Sequence, residues 1–282
     1  MALTVNTNIA SLIAQNNLNN SSNSLNVSLQ RLSSGLRVNS AKDDAAGMAI
    51  SQTLTSAIRG NNQAIRNAND GISVGQTAEG ALGQIANNLQ RIREIATQSA
   101  NGSVSDTNRS QLQKEVDQLT QEISRIVQTT QFNGTSLLSG GSTLTFQVGS
   151  SGDASNQVSI SSTDLTSAGV LNAYNSSLTN TGTIDVTSQA KASGVLSALD
   201  ADISEVSNIR STFGAVQNRF DAVVANLQNY VTNLTAANSR IVDVDFAAET
   251  ANLTKNQVLQ QAGTSILKQA NSLTQSALTL LQ

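Results

Sequence analysis

Residues 199–234 read LDADISEVSNIRSTFGAVQNRFDAVVANLQNYVTNL, with apolar side chains at Leu199, Ile203, Val206, Phe213, Val216, Phe220, Val223, Leu227, Tyr230 and Leu234. They keep a three–four rhythm, and Arg210 is the one charged member of the row. Such a row predicts one long helix with a coiled-coil-like seam, longer than an ordinary globular helix. Downstream, Ile241-Val242-Asp243-Val244-Asp245-Phe246 alternates, which predicts an extended joint. A last helix then places Leu259, Ile266, Leu273 and Leu280 seven residues apart, with Gly263, Ala270 and Ala277 each four residues after a large one. Large side chains alternating with small ones suit close helix packing.

The N-terminal half mirrors this plan. Leu18, Leu25, Leu29, Leu32 and Leu36 are separated by seven, four, three and four residues, again a seam. Asn and Ser fill much of the remainder, so this helix is weak alone and needs a partner. From Ala45 to about Gln98 a second stripe runs through Leu54, Ile58, Ile65, Ile72, Leu82, Ile85, Leu89, Ile92 and Ala96. Gly60, Gly71, Gly75, Gly80 and Gly83 interrupt it, each costing up to about 1 kcal/mol of helix propensity. They point to a bend or a close helix–helix approach. A turn at Asn101-Gly102-Ser103 leads to a shorter helix marked by Leu112, Val116, Leu119, Ile123 and Ile126, ending before Phe132-Asn133-Gly134.

Between these halves, residues 134–193 are rich in Ser, Thr and Gly. Leu144–Val148 and Gln157–Ser161 alternate as strands, predicting a hairpin across Gly149–Asn156 as the one β element. The loop-forming remainder is expected to face the surface. The fold class is therefore mainly α: long antiparallel coiled-coil-like helices, paired N- and C-terminal helices and one small β-hairpin insert. The terminal helices are expected to pair with each other and to leave their outer faces for other copies of the chain.

Composition narrows the chemistry. The 282-residue chain has no His, Cys, Pro or Trp and only 2% aromatic residues, at net charge −3. Without His or Cys there is no Ser-His-Asp triad, Cys nucleophile, ordinary zinc site or disulfide. The mild acidity argues against nucleic acid. No basic start and apolar run marks a cleaved leader, and no stretch of about 18 apolar residues marks a membrane span. Paired carboxylates are the remaining catalytic option. Asp43 and Asp44 are adjacent on the sequence and so do not face each other. They read better as a joint, with Ser40 capping the next helix, Asp43 as its capping-box partner and both acids favouring the helix N-terminus. Arg91, Arg93 and Glu94 read as a solvated helix face. No catalytic, metal or cofactor residue is assigned.

Several stretches together resemble the bacterial flagellins: Gln30–Gly47 (QRLSSGLRVNSAKDDAAG), Leu259–Leu267 (LQQAGTSIL), Phe132–Thr135 (FNGT) and Thr145–Gly149 (TFQVG). They cover both ends and flank the insert in the expected order. The resemblance implies a self-assembling filament subunit, a homo-polymer in the extracellular flagellum, reached through type III export. It implies an inner-tube pair at 1–40 and 240–282, shell helices at 41–136 and 193–239, and a reduced variable region with the hairpin at 137–192. It also implies a flagellar export chaperone, filament cap and junction proteins as partners. Innate immune receptors are implied too, one at Gln30–Ser51 and another at Arg91, Ile95 and Glu115. Relatives commonly have Leu at the position of Ile95 and Pro at that of Thr274. A hook–filament junction protein shares the terminal plan, and a protease in the insert would need a His-Glu-x-x-His motif.

Overall fold

The computed structural model describes residues 7–161, 163–167, 170–176 and 183–279, with the side chains of 273–279 outside that description. Five helices dominate: α1 (Ile9–Ser34), α2 (Ala45–Ser99), α3 (Asp106–Thr129), α4 (Gln189–Val242) and α5 (Phe246–Thr279). Two antiparallel hairpins accompany them, β1 (Gln131–Phe132) with β2 (Thr135–Ser136) and β3 (Thr143–Gln147) with β4 (Gln157–Ser161). Contacts divide the chain into two compact units, Met1–Ile58 with Thr232–Gln282, and Arg59–Val231.

The second unit holds nearly all of the buried apolar side chains. The C-terminal part of the predicted stripe on α2 is its spine: Leu82, Ile85, Leu89, Ile92 and Ala96 are all buried, with Ile95 beside them, as are Leu199, Val206, Phe213 and Phe220 from α4. The two helices run antiparallel here. Gly71 meets Phe220, Gly75 meets Gln217, Glu79 pairs with Arg210 and Arg93 with Asp200. A Cβ at Gly71 would lie 2.6 Å from Cζ of Phe220, so this glycine is a socket for the ring. Phe146 of β3 meets the same ring in a T-shaped contact with 5.6 Å between centroids. That contact ties the hairpin to the helices. With so few aromatic residues, one such pair carries much of the specificity of this packing.

The hairpin forms as the alternation predicts, with Leu144 opposite Ile160 and Phe146 opposite Val158. It is not the one β element. Asn133 (φ 48°) and Gly134 (φ 80°) make a two-residue turn between β1 and β2. Positive φ at both central residues is the turn geometry that Asn-Gly favours.

The insert also departs from the expectation of an outward loop. Leu165, Leu171, Ala173, Ile184 and Val186 are at most 4% exposed. A polar ladder fastens this segment along α3. The Gln113 side chain donates to Ile184 O at 2.8 Å and accepts from Val186 N at 2.7 Å, standing in for a strand edge. Ser124 Oγ accepts from Asn175 N at 3.0 Å, and Gln128 donates to Ser176 O at 3.1 Å. The Ser/Thr/Gly-rich stretch thus lays its few aliphatic residues on the helices and bonds its backbone to helix side chains, as buried polar groups require.

Arg109 fastens the turn between α2 and α3. Its buried guanidinium donates to Ser99 O (2.8 Å), Asn101 O (2.9 Å) and Asp106 Oδ1 (2.7 Å). The Ser99 carbonyl is one that the end of α2 leaves without a helical partner, and the Asn101 carbonyl also accepts from Val104 N in the turn.

Candidate assembly surface

The first unit has the opposite character. Among its described residues only Ala14, Val38 and Ala270 are buried apolar side chains. Ile9, Leu12, Ile13, Val27, Leu29 and Ile50, with Phe246, Val258, Leu259 and Ile266, are all more than 40% exposed. Among the described residues of the second unit, Tyr230 is the large apolar residue so exposed. Burying a Leu or Ile side chain stabilises by about 1.5–3 kcal/mol, so a row of them left in water marks a contact face.

α1 and α5 pair antiparallel. Asn8 Nδ2 donates to Ala270 O at 3.0 Å, Leu18 lies against Gly263, Arg31 faces Glu249, and Leu36 bridges Asp243. On α1 the covered row is Ser11, Ala14, Leu18, Ser21, Leu25, Ser28 and Leu32, spaced three and four throughout. On α5 it is Glu249, Leu253, Asn256, Gln260, Gly263, Leu267 and Ala270, spaced likewise. Leucines thus alternate with small or amide side chains, which lets the helices approach without a thick apolar core.

This geometry divides the predicted seam. Leu18, Leu25 and Leu32 lie on the covered row, half-buried, and Leu36 sits half-buried in the joint. Leu29, at 48% exposed, is off that row. Leu259 and Ile266 also turn away from it, at 46% and 59% exposed. The large–small alternation on α5 is therefore not one stripe: Gly263 and Ala270 face α1, and the large residues four positions earlier do not. Four residues advance a helix by 40° beyond a full turn, enough to carry Leu259 and Ile266 out of the contact. The backbone at Leu273 is helical, but its side chain, and all of Leu280, lie outside the described residues. α5 continues through Thr274.

At the end of α1, Gly35 takes the left-handed conformation (φ 72°) and donates to Arg31 O at 2.9 Å, a C-terminal stop. The joint then laces itself to the start of the C-terminal segment. Arg37 N donates to Val242 O at 2.6 Å and its guanidinium to Ile241 O at 2.5 Å. Val244 N donates to Gly35 O at 3.0 Å. α4 is helical through Val242, so the extended joint is shorter than the alternation from Ile241 predicts.

Ser40 is not the cap of α2. Asp44 is: its Oδ1 accepts from Gly47 N at 2.8 Å, and its carbonyl accepts from Met48 N. Gly47 is fitted to this, since a Cβ there would come within 2.8 Å of Asp44 Cγ. Ser40 and Asp43 close a separate turn one step earlier. Asp43 Oδ2 accepts from Ser40 Oγ (2.9 Å), Ser40 N (2.8 Å) and Asn39 N (3.2 Å). The Ser40 hydroxyl, then its backbone N–H, hold the Asp43 carboxyl below its ordinary pKa. The helix starts only at Ala45, too late for Ser40 to reach its free N–H groups.

The proposed receptor contacts do not share one surface. Arg91 and Glu115 are about half exposed and paired at 2.9 Å, with Glu94 also on Arg91 at 3.0 Å. The Glu115 hydrogen bond, then that of Glu94, raises the Arg91 pKa. Ile95 is 1% exposed, in the core beside Ile92 and Ala96. It supports the helix under Arg91 and offers no surface of its own. Among the described residues no group of three or more His, Cys, Asp or Glu could hold a metal ion, and no helix is long and apolar enough to cross a membrane.

Comparison with known proteins agrees with this arrangement. Residues 5–143 match the family model for the bacterial flagellin N-terminal helical region, and residues 196–281 that for the C-terminal helical region. The chain is 43% identical to the flagellin of Xenorhabdus nematophila over 321 aligned positions, covering 100% of each. It is 39% identical to the flagellar filament 33 kDa core protein of Treponema phagedenis, covering 99% of each. The solved structure of a candidate flagellar hook-associated protein from Vibrio parahaemolyticus shares the fold, with TM-score 0.58 at 16% identity, covering 71% of this chain and 100% of that one. Two exposed terminal helices, a helical body between them and full-length similarity to filament proteins lead to one assignment: the chain belongs to the bacterial flagellin family.

Proposed function

We infer that the chain is a structural, non-enzymatic subunit that polymerises into the extracellular flagellar filament used for swimming. The observation that carries this is the split between the units: the aliphatic core lies within Arg59–Val231, and large apolar side chains stand in water on the terminal helices. Copies packing through those helices would bury them. In this reading 1–40 and 240–282 form the inner tube, and 41–136 with 193–239 surround it. Leu259 and Ile266 contribute to contacts between copies; Leu18, Leu25 and Leu32 hold each subunit's own helix pair. Export chaperone, cap and junction proteins are the further partners. Arg91 and Glu115 present the charged face open to an immune receptor, with Ile95 beneath.

Electron microscopy of polymer grown from the purified chain tests this. Long tubes are expected, and Ile13→Asp or Ile266→Asp should abolish them while leaving the unfolding transition of the second unit unchanged. A folded wild-type chain that stays monomeric at high concentration would instead favour a junction protein, which needs another protein to build on.

A further inference from the structure

A groove of about 460 Å³ lies between α1 and α5, lined by Asn23, Ser24, Val27 and Arg31 from one helix and by Glu249 and Asn252 among others from the other. Its floor is an ill-matched ion pair. Arg31 Nη1 and Glu249 Oε2 are 3.7 Å apart, beyond hydrogen-bond length. Nε of Arg31 is buried without a partner. The Glu249 side chain is only 9% exposed, a costly position for a carboxylate whose paired cation lies beyond hydrogen-bond length. In an isolated subunit, solvent in the groove can serve both groups; in a packed polymer, protein groups must replace it.

We propose that this groove docks the amide-rich face of α1 from a second copy of the chain, with an Asn or Gln side chain bridging Arg31 and Glu249. The proposal rests on the filament reading and names one of its contacts. A carboxamide has the chemistry the floor lacks: its oxygen accepts from the guanidinium and its NH₂ donates to the carboxylate. The chain carries a dense source of such groups. Gln15, Asn16, Asn17, Asn19 and Asn20 are all exposed on α1, interrupted only by Leu18. Arg31 is the only charged residue of α1, so the amide row brings no charge of its own into the groove, whose lining also includes Lys255. Val27, at 41% exposed on the groove wall, supplies apolar contact beside the bridge. Groove and amide row are different residues of the same chain. A contact between them is heterologous and leaves one copy with an unused row and the other with an unused groove, so it propagates as an open array rather than closing as a dimer.

Because the chain has no Cys, a single Ser24→Cys variant can carry a photo-cross-linker at the groove rim. In polymer, the expected product is a covalent adduct to residues 15–20 of another copy, read by mass spectrometry of mixed light and heavy subunits. Asn252→Trp, an exposed rim position, should fill the groove and raise the critical concentration at least tenfold while leaving the circular dichroism of the monomer unchanged. The proposal is overturned if wild-type chain polymerises but adducts form only within one copy or to another segment. It is equally overturned if Asn252→Trp polymerises like wild type. A wild-type chain that does not polymerise overturns the filament reading itself.

Discussion

The same substitution at two glycines of α2 should have opposite signs. Gly80 is exposed, and a Cβ there meets nothing within 4 Å. Gly80→Ala therefore gains the helix-propensity difference of about 0.8–1 kcal/mol with no opposing contact. Gly71→Ala gains the same amount. Its new methyl, however, falls 2.6–2.9 Å from three atoms of the Phe220 ring. The ring cannot retreat, since it is fully buried and Phe146 stands edge-on to it. Overpacking of this kind costs about 1–3 kcal/mol, and a rigid, fully buried ring places the cost in the upper part of that range. The net is a destabilisation of about 1–2 kcal/mol. Thermal unfolding followed by circular dichroism reads both, at about 2–4 °C per kcal/mol for a unit of this size. Gly80→Ala should raise the midpoint by about 2–4 °C, and Gly71→Ala should lower it by a similar amount or more. A rise at Gly71 equal to that at Gly80 would mean that Phe220 is not seated there and that the packing of α4 on α2 is misassigned.

Arg109→Met should cost about 2–3 kcal/mol, because it removes a buried charged donor and leaves the Ser99 carbonyl without that partner; urea unfolding measures it. Asp44→Ala should destabilise the first turn of α2 by about 1 kcal/mol, with Ser40→Ala costing less than half of that. Amide exchange at Gly47 separates the two, since only the first frees that N–H. Acid should weaken the region before α4. Lys191, at 2.6 Å, and then the Thr187 hydroxyl hold Asp185 at a pKa of about 2, below its ordinary 3.8. The unfolded chain binds this proton more readily, so the contribution is present above about pH 4 and lost as pH falls toward 2. Solvent screening of a pair this exposed limits it to no more than about 1 kcal/mol. Asp185→Asn should lower stability at pH 7 by up to that amount and remove this part of the acid dependence, so that variant and wild type converge toward pH 2.

The regular parts of the fold are legible in the sequence because each has a strong periodic signal. The row from Leu199 to Leu234 gave α4, the alternation around Phe146 and Val158 gave the hairpin, and the glycines of α2 announced a close approach that Phe220 fulfils. The assembly surface was only half legible. Apolar counting on α5 finds Leu259 and Ile266, yet the face against α1 places Glu249, Asn256, Gln260 and Gly263, which carry no apolar signal, among Leu253, Leu267 and Ala270. Ser11 and Ser28 are hidden in the same way on α1, where burial follows from small size. Arg109 was invisible because a charged residue on an amphipathic helix reads as solvated until the carbonyls it serves are located. The cap went to Ser40 rather than Asp44 because both fit a cap by type, and only the position of the first helical turn decides between them. The Asn133-Gly134 turn was visible as a helix stop, but its two-residue strands are too short to alternate.

The account depends on the terminal helices being covered by neighbouring copies, and amide hydrogen exchange on the same chain as monomer and as polymer tests this most directly. Residues 9–34 and 246–272 should exchange readily in the monomer and become strongly protected in the polymer, while the core of Arg59–Val231, around Ile85 and Ile92, should be protected in both. Equal protection of α1 and α5 in the two states would contradict the claim that their exposed apolar faces await other subunits.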